Sequence, residues 1–278
     1  PNAIEGLEQA TFFRIGLGYD KTAIENSDLF AKNYRRKLPR QAAQVFFSIG
    51  SIYERQKRWF QVITHYREYL KKYGKVGMPH QVIQAHTAIG SAFWELNKKG
   101  EAKPSFAAAV RAWTSGAPKR ISALKVSKEE KVLYLREALD SAAESQFYLS
   151  EYKFADFQKV AFPEYRGGKS MARVKKWSDS EFKAWVKRKQ GVLRAAEAEY
   201  AQVARMTVDA GGVKMKSAPW QIAAASRTGE MYRSFVDEFR DAPIPREIEK
   251  DPELYDIYVG ALDDVSEPLQ RQAVDKFE

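Results

Sequence analysis

Apolar residues recur along this chain at intervals of three and four, the period of one helical face, almost from end to end. Strict apolar–polar alternation, the signature of a half-buried strand, never lasts more than a few residues. The pattern therefore predicts helices throughout. It is most regular over the first 115 residues, where one small motif occurs three times. An aromatic residue or histidine is followed three residues later by Ile-Gly, and an aromatic stands three residues after the glycine. The copies are Phe12, Ile15, Gly16, Tyr19; Phe46, Ile49, Gly50, Tyr53; and His86, Ile89, Gly90, Phe93. The glycines are 34 and 40 residues apart, the period of stacked two-helix hairpins. A second helix follows each copy, carrying Val62, Tyr66 and Tyr69 in the second and Ala102, Phe106 and Ala109 in the third. In the first copy Leu29, Phe30 and Tyr34 stand slightly out of register before Pro39. A residue without a side chain lets two helices approach closely. The spacing predicts Val62 opposite Gly50 and Ala102 opposite Gly90, with aromatics filling the wedges between hairpins.

Beyond residue 120 the repeat ends and the helices continue. Ser127-Lys128-Glu129-Glu130 predicts a capping box opening a helix whose face is Leu135, Leu139, Ala142, Ala143 and Phe147. Phe162-Pro163 and Gly167-Gly168 interrupt the chain. A second box, Ser178-Asp179-Ser180-Glu181, predicts the start of a helix of about 28 residues, ~42 Å long. Its face is Phe182, Trp185, Val186, Leu193, Ala196, Tyr200 and Val203, and Gly211-Gly212 stops it. Further helices are expected after Ser217-Ala218-Pro219 and after Asp251-Pro252, where proline suits the first turn. Pro268 is expected to kink or restart the last of them.

Composition narrows the possible chemistry. The chain has 278 residues and no cysteine, which excludes disulfides, thiolate metal sites and cysteine nucleophiles. No apolar run approaches the ~20 residues of a membrane-spanning helix. Net charge is +10, unevenly spread. From Asp237 onward 13 acidic residues face 5 basic ones, a net −8, leaving +18 on the 236 residues before. A basic body with an acidic end suits a polyanion, an acidic partner or head-to-tail association, and a solvated helical surface with excess lysine accounts for it equally well. The chain begins at Pro1 and ends in a helical stretch, the expectation for a piece of a longer protein.

No catalytic constellation emerges. Gly167-Gly168-Lys169-Ser170 resembles the end of a phosphate-binding loop. The glycine required five residues before Gly168 is replaced by Pro163, and no buried strand leads in. His65, His80 and His86 show no metal-ligand spacing with carboxylates, and His86 occupies an aromatic repeat position, so packing is expected of it. Glu129-Glu130 and Asp263-Asp264 are adjacent and point apart on a helix. No enzyme, cofactor or metal is expected. Residues 166–190 concentrate nine basic residues, Arg166, Lys169, Arg173, Lys175, Lys176, Lys183, Lys187, Arg188 and Lys189, around Trp177 and Trp185. Such a cluster can bind nucleic acid or anionic lipid. The tryptophans, however, fit the helical core period, which favours a solvated basic face.

The repeat resembles the tetratricopeptide repeat, whose consensus runs W-x2-L-G-x2-Y and then A-x3-F. The match is strongest over residues 42–75 and 82–115. The resemblance implies an all-α solenoid of about three hairpins in residues 1–120, followed by an irregular α-helical region, 121–278, with one long helix. It also implies a groove lined by first-helix positions. In this chain these are Phe13, Leu17 and Asp20, then Gln44, Phe47, Ser51 and Glu54, then Gln84, Thr87, Ser91 and Trp94. The groove lacks the Lys/Arg clamp with which chaperone-binding members hold a terminal carboxylate. Trp94 is expected to point into it as an anchor beside Phe47. The C-terminal half is similar to large repeat proteins of deltaproteobacterial cell envelopes, including components linked to gliding motility. The similarity lies in Ala223-Ala224-Ala225-Ser226-Arg227-Thr228-Gly229-Glu230-Met231-Tyr232, Ala242-Pro243-Ile244-Pro245, Tyr255, Tyr258 and Pro268-Leu269. This implies a periplasmic or outer-membrane-associated scaffold, with cytoplasm the alternative. The expected partner is an acidic protein or peptide rather than a small-molecule substrate or nucleic acid. A polyanion-binding module acting through residues 166–190 is the alternative function.

Overall fold

Consecutive helices pack in pairs in the computed structural model, which describes residues 2–166, 168, 170–244 and 246–277. Helix accounts for 80% of the chain. The fold divides into two compact units, Pro1–Gln146 with Met206–Ser217, and Phe147–Arg205 with Ala218–Glu278. The division does not coincide with the end of the repeat pattern near residue 120.

In the first unit α1 (Asn2–Leu17) pairs with α2 (Asp20–Tyr34), and α6 (Pro79–Glu95) with α7 (Lys99–Thr114). Between them, α3 (Pro39–Ser48) and α4 (Gly50–Arg55) run on through Ile49, whose backbone stays helical, and pack on α5 (Trp59–Tyr73). Pro39 and Pro79 begin α3 and α6, where a missing amide costs nothing. The turns inside the second and third pairs are built alike. Lys57 and Asn97 take positive φ at equivalent positions, while the amides of Arg58 and Lys98 donate to the carbonyls of Tyr53 and Phe93 at 2.9 and 2.8 Å. These bonds satisfy carbonyls left open at the helix ends.

The glycines make the close approach, but against other neighbours than the spacing predicted. A Cβ on Gly90 would lie 2.6 Å from the Phe106 ring, and one on Gly50 would overlap the Tyr66 ring. The facing residue is thus one turn beyond Ala102 or Val62, and an aromatic ring fills the space the glycine leaves. Gly16 has nothing within 4 Å, so the first copy of the motif keeps the sequence without the contact.

After α8 (Ala117–Ser122) comes α9 (Lys128–Gln158). The Ser127–Glu130 capping box forms as predicted, with reciprocal bonds of 2.9 and 3.1 Å. Leu135, Ala138, Leu139 and Ala142 of α9 join Ile83, Ala109, Trp113, Ala117 and Ile121 in one core. A β-hairpin that the sequence reading missed, β1 (Thr207–Asp209) with β2 (Lys214–Lys216), packs Met206, Val208, Ala210 and Met215 against this core. Gly211 and Gly212, at φ 71° and 90°, form its two-residue turn, a conformation that favours glycine at both positions.

The second unit holds residues 147–158 of α9, α10 (Met171–Trp177), α11 (Lys183–Arg205), α12 (Ala218–Arg240), α13 (Arg246–Glu249) and α14 (Pro252–Phe277). Ser178–Glu181 does not open a helix. A π-helical turn, Ser178–Phe182, joins α10 to α11 in one 35-residue helix. The reason is the buried stripe, which reaches back through Val174 and Trp177. The five-residue step from Trp177 to Phe182 suits one π turn, and the two rings stack at 5.5 Å. Around them gather Phe162, Trp185, Phe235 and Phe239. Asp251 caps α14 through the Leu254 amide at 3.3 Å. The helix continues through Pro268 rather than restarting there.

Candidate functional site

In the second and third copies the glycine contacts just described hold the hairpins together, and six first-helix positions from these copies converge on one cavity of about 460 Å³ in the first unit. Phe47 comes from α3, Ser51 and Glu54 from α4, and Gln84, Thr87 and Ser91 from α6. The opposite walls come from α5, with Trp59, Val62 and Tyr66, and from α9, with Ser141 and Glu144. Nothing in the sequence pattern marks these last five as groove residues. Tyr66 and Val62 read as core, and Ser141 and Glu144 border an apolar stripe that carries no motif of its own.

The other predicted groove residues lie elsewhere. Phe13 and Leu17 are each 68% exposed on α1. Asp20 accepts bonds from Arg55 Nη2 at 2.5 Å and Gln56 Nε2 at 2.6 Å, which ties the first pair to the second. Gln44 is half-buried on α3 and does not line the cavity. Trp94 does not line it either. The half-buried indole packs edge-on against Phe106 of its own hairpin, under the Lys99 ammonium at 4.6 Å. An aromatic directly after the buried Phe93 gains more from covering Phe106 than from facing solvent.

Polar groups in the cavity are specifically paired. Gly50 has no side chain, so the Tyr66 phenol can lie on α4 and bond Glu54, one turn further along the helix. Ser91 Oγ donates to Glu144 Oε1 at 2.8 Å. The Thr87 hydroxyl lies 3.0 Å from the Ser141 carbonyl and 2.8 Å from Ser145 Oγ. Burial raises the pKa of Glu54 above the usual carboxylate range, against the opposing Tyr66 bond. It raises Glu144 as well, helped by the charge of Glu54 and opposed by Ser91. Tyr66 is pushed well up by burial and by Glu54.

His65 and His80 pack as aromatic residues. His65 stacks on Phe46 at 4.4 Å with Nε2 2.9 Å from the Phe46 carbonyl, and His80 stacks on Tyr134 at 4.1 Å. Burial drives both down to about 4, so His80 is neutral near pH 7 and its 3.6 Å approach to Glu137 is not an ion pair there. His86 is half-buried and lowered for the same reason. The sign of the resulting pH dependence is fixed. The unfolded chain takes up protons near pH 6.5 and the folded one near 4, so this stabilisation is complete above pH 6.5 and is lost as pH falls toward 4. In a histidine NMR titration of the folded protein, His65 and His80 should stay neutral at about pH 5.5. Midpoints near 6.5 would show that they are not buried as described. Among the described residues, no group of three or more acidic or histidine side chains is placed to hold a metal ion, and no helix is long and apolar enough to cross a membrane.

The basic segment resolves into two populations. Arg166, Arg173, Lys175, Lys176, Lys183, Lys187 and Arg188 are exposed, with Arg166 on Glu164 and Lys183 on Asp179, both at 2.7 Å. Lys169 lies outside the described residues. Lys189 does not belong to this face. It is 1% exposed, its ammonium bonded to the Val160 carbonyl at 3.0 Å and to Glu238 at 2.5 Å, and it lies 4.1 Å from the Phe157 ring centre. Trp177 and Trp185 are buried in the aromatic cluster, which leaves them no face on which to stack a base.

Compared with known proteins, the chain matches no protein-family model and no curated protein sequence.

Proposed function

We propose that the chain is a non-catalytic, tetratricopeptide-like scaffold that binds a protein or peptide partner in the groove of its first-unit hairpins. The observation that carries this reading is the convergence of Phe47, Ser51, Glu54, Gln84, Thr87 and Ser91, positions spaced by the repeat, on one open cavity. A role in a multiprotein assembly of a bacterial cell envelope, periplasmic or outer-membrane-associated, draws its support from the resemblance of the C-terminal half.

The test is to plug the groove without touching the core. Ser51 is an exposed helical position on the cavity wall. Ser51→Trp should lower partner capture at least ~10-fold, about 1.4 kcal/mol, at an unchanged melting temperature. Ser226→Trp, on an exposed face of the second unit, should leave capture intact. Full capture by Ser51→Trp would refute the groove. If that capture also fell steeply between low and moderate salt, binding would belong to the exposed basic face of residues 166–188 and a polyanion.

A further inference from the structure

The cavity is more specialised than a general peptide groove requires. Three aromatic rings, Phe47, Trp59 and Tyr66, stand in its walls together with two carboxylates, Glu54 and Glu144, and among the described residues no lysine, arginine or histidine lines it. Each carboxylate has a neutral hydroxyl partner, Tyr66 for Glu54 and Ser91 for Glu144. One hydroxyl uses one of the roughly four acceptor positions of an ionised carboxylate. The side chains thus enclose negative charge, spare acceptors and aromatic faces, with no counter-charge of their own. A carboxylate drawn half out of water without a cation carries a desolvation cost, and aromatic faces attract the same sign of ligand. At about 460 Å³ the space falls within the ~300–1,000 Å³ typical of ligand pockets.

We propose that this cavity is a binding site for a basic side chain, an arginine guanidinium presented by the protein partner. Resting on the scaffold reading, this names the chemistry the groove recognises. Guanidinium fits better than ammonium because a planar group with five donors can stack on a ring and bond carboxylate and hydroxyl oxygens at once. The partner expected from net charge alone was acidic. The cavity reverses that sign locally, and the two requirements are compatible. The +10 chain repels a polycation in general, while one arginine in an otherwise acidic or neutral segment is accepted. Attraction at one point and repulsion elsewhere is how selectivity against simple basic peptides arises.

A cation also changes the protonation of the site. Among the described residues, the titratable groups lining the cavity are Glu54 from α4, Tyr66 from α5 and Glu144 from α9. Both carboxyls are held above the usual range by burial. A guanidinium favours their ionised forms, so binding releases protons and weakens as pH is lowered toward the carboxylate range.

The experiment is calorimetric or NMR titration of the full chain with Nα-acetyl-arginine amide. Nα-acetyl-citrulline amide serves as the neutral near-isostere. Saturable binding is expected at about pH 7.5, at least ~10-fold weaker for citrulline, and weaker for arginine at about pH 5.5. Glu144→Gln keeps the size of the side chain and removes its charge, and should weaken arginine binding at least ~10-fold. Glu54→Gln should act in the same direction, which covers the case in which one variant does not fold. Glu129→Gln, exposed in the first helical turn of α9 and away from the cavity, should change nothing. Equal binding of citrulline and arginine, no saturable binding of arginine, or a response only to Ca²⁺ titrated alone would each overturn the proposal. The scaffold reading fails separately. Were it wrong, Ser51→Trp would leave partner capture intact whatever the amide does. Were only the arginine site wrong, Ser51→Trp would block capture while the amide showed no preference.

Discussion

Gly90→Leu should lower the stability of the protein by about 3 kcal/mol, at the upper end of what overpacking usually costs. The Phe106 ring that an added Cβ would meet at 2.6 Å is itself fully buried. For a chain of this size the melting temperature should fall by roughly 6–12 °C. Gly16 gives the contrast. It occupies the same place in the same motif, with nothing within 4 Å. Gly16→Ala should therefore be neutral or stabilising by up to ~1 kcal/mol, because alanine is the better helix former. Differential scanning calorimetry of both variants decides the matter. Similar responses at the two positions would mean that the first hairpin packs like the third, contrary to the structure.

The second large effect is expected at Lys189. Lys189→Ala removes the cation over Phe157 and leaves the carboxylate of Glu238, whose pKa is already raised by burial, without its partner. Breaking a buried pair from one side costs about 3–5 kcal/mol. Because Glu238 keeps 26% of its side chain exposed, the lower end applies, about 3 kcal/mol. Lys189→Met with Glu238→Gln removes both charges and keeps most of the volume, so it should return to within ~1 kcal/mol of the parent chain. Urea denaturation of Lys189→Met, Glu238→Gln and the double would give the coupling. Additive losses would show that the pair acts only through packing.

Lys189 also shows what could be read from the sequence and what could not. Its position was legible, since it follows Trp185 and Val186 by helical steps and precedes Leu193 by one turn, on the stripe that proved to be buried. Its chemistry hid this, because a lysine in a run of lysines reads as surface. The groove divides the same way. Phe47, Ser51, Glu54, Gln84, Thr87 and Ser91 could be placed because a repeat fixes register within each hairpin. Ser141 and Glu144 arrive from a helix whose apolar stripe predicts a buried face and says nothing about its neighbour. Trp94 was misplaced because the residue after a core aromatic can turn either way, and the choice lay with Phe106. The long helix was misjudged at its start, where a serine-glutamate pair with capping spacing sits in a π turn and the Ser180 hydroxyl bonds back to the Lys176 carbonyl at 2.7 Å.

The hairpin at Thr207–Lys216 has a consequence for the order in which the molecule can be made. Its Met206, Val208, Ala210 and Met215 cover a core whose other members are all in place by Ala142, yet the ribosome must first deliver the whole of α10 and α11. Until then Trp113, Leu135 and Leu139 lack part of their lining, and an early-emerging segment waits on a late one. Contacts of such wide sequence separation form slowly. The N-terminal helices are thus exposed to misassociation for longer than their own local contacts would require.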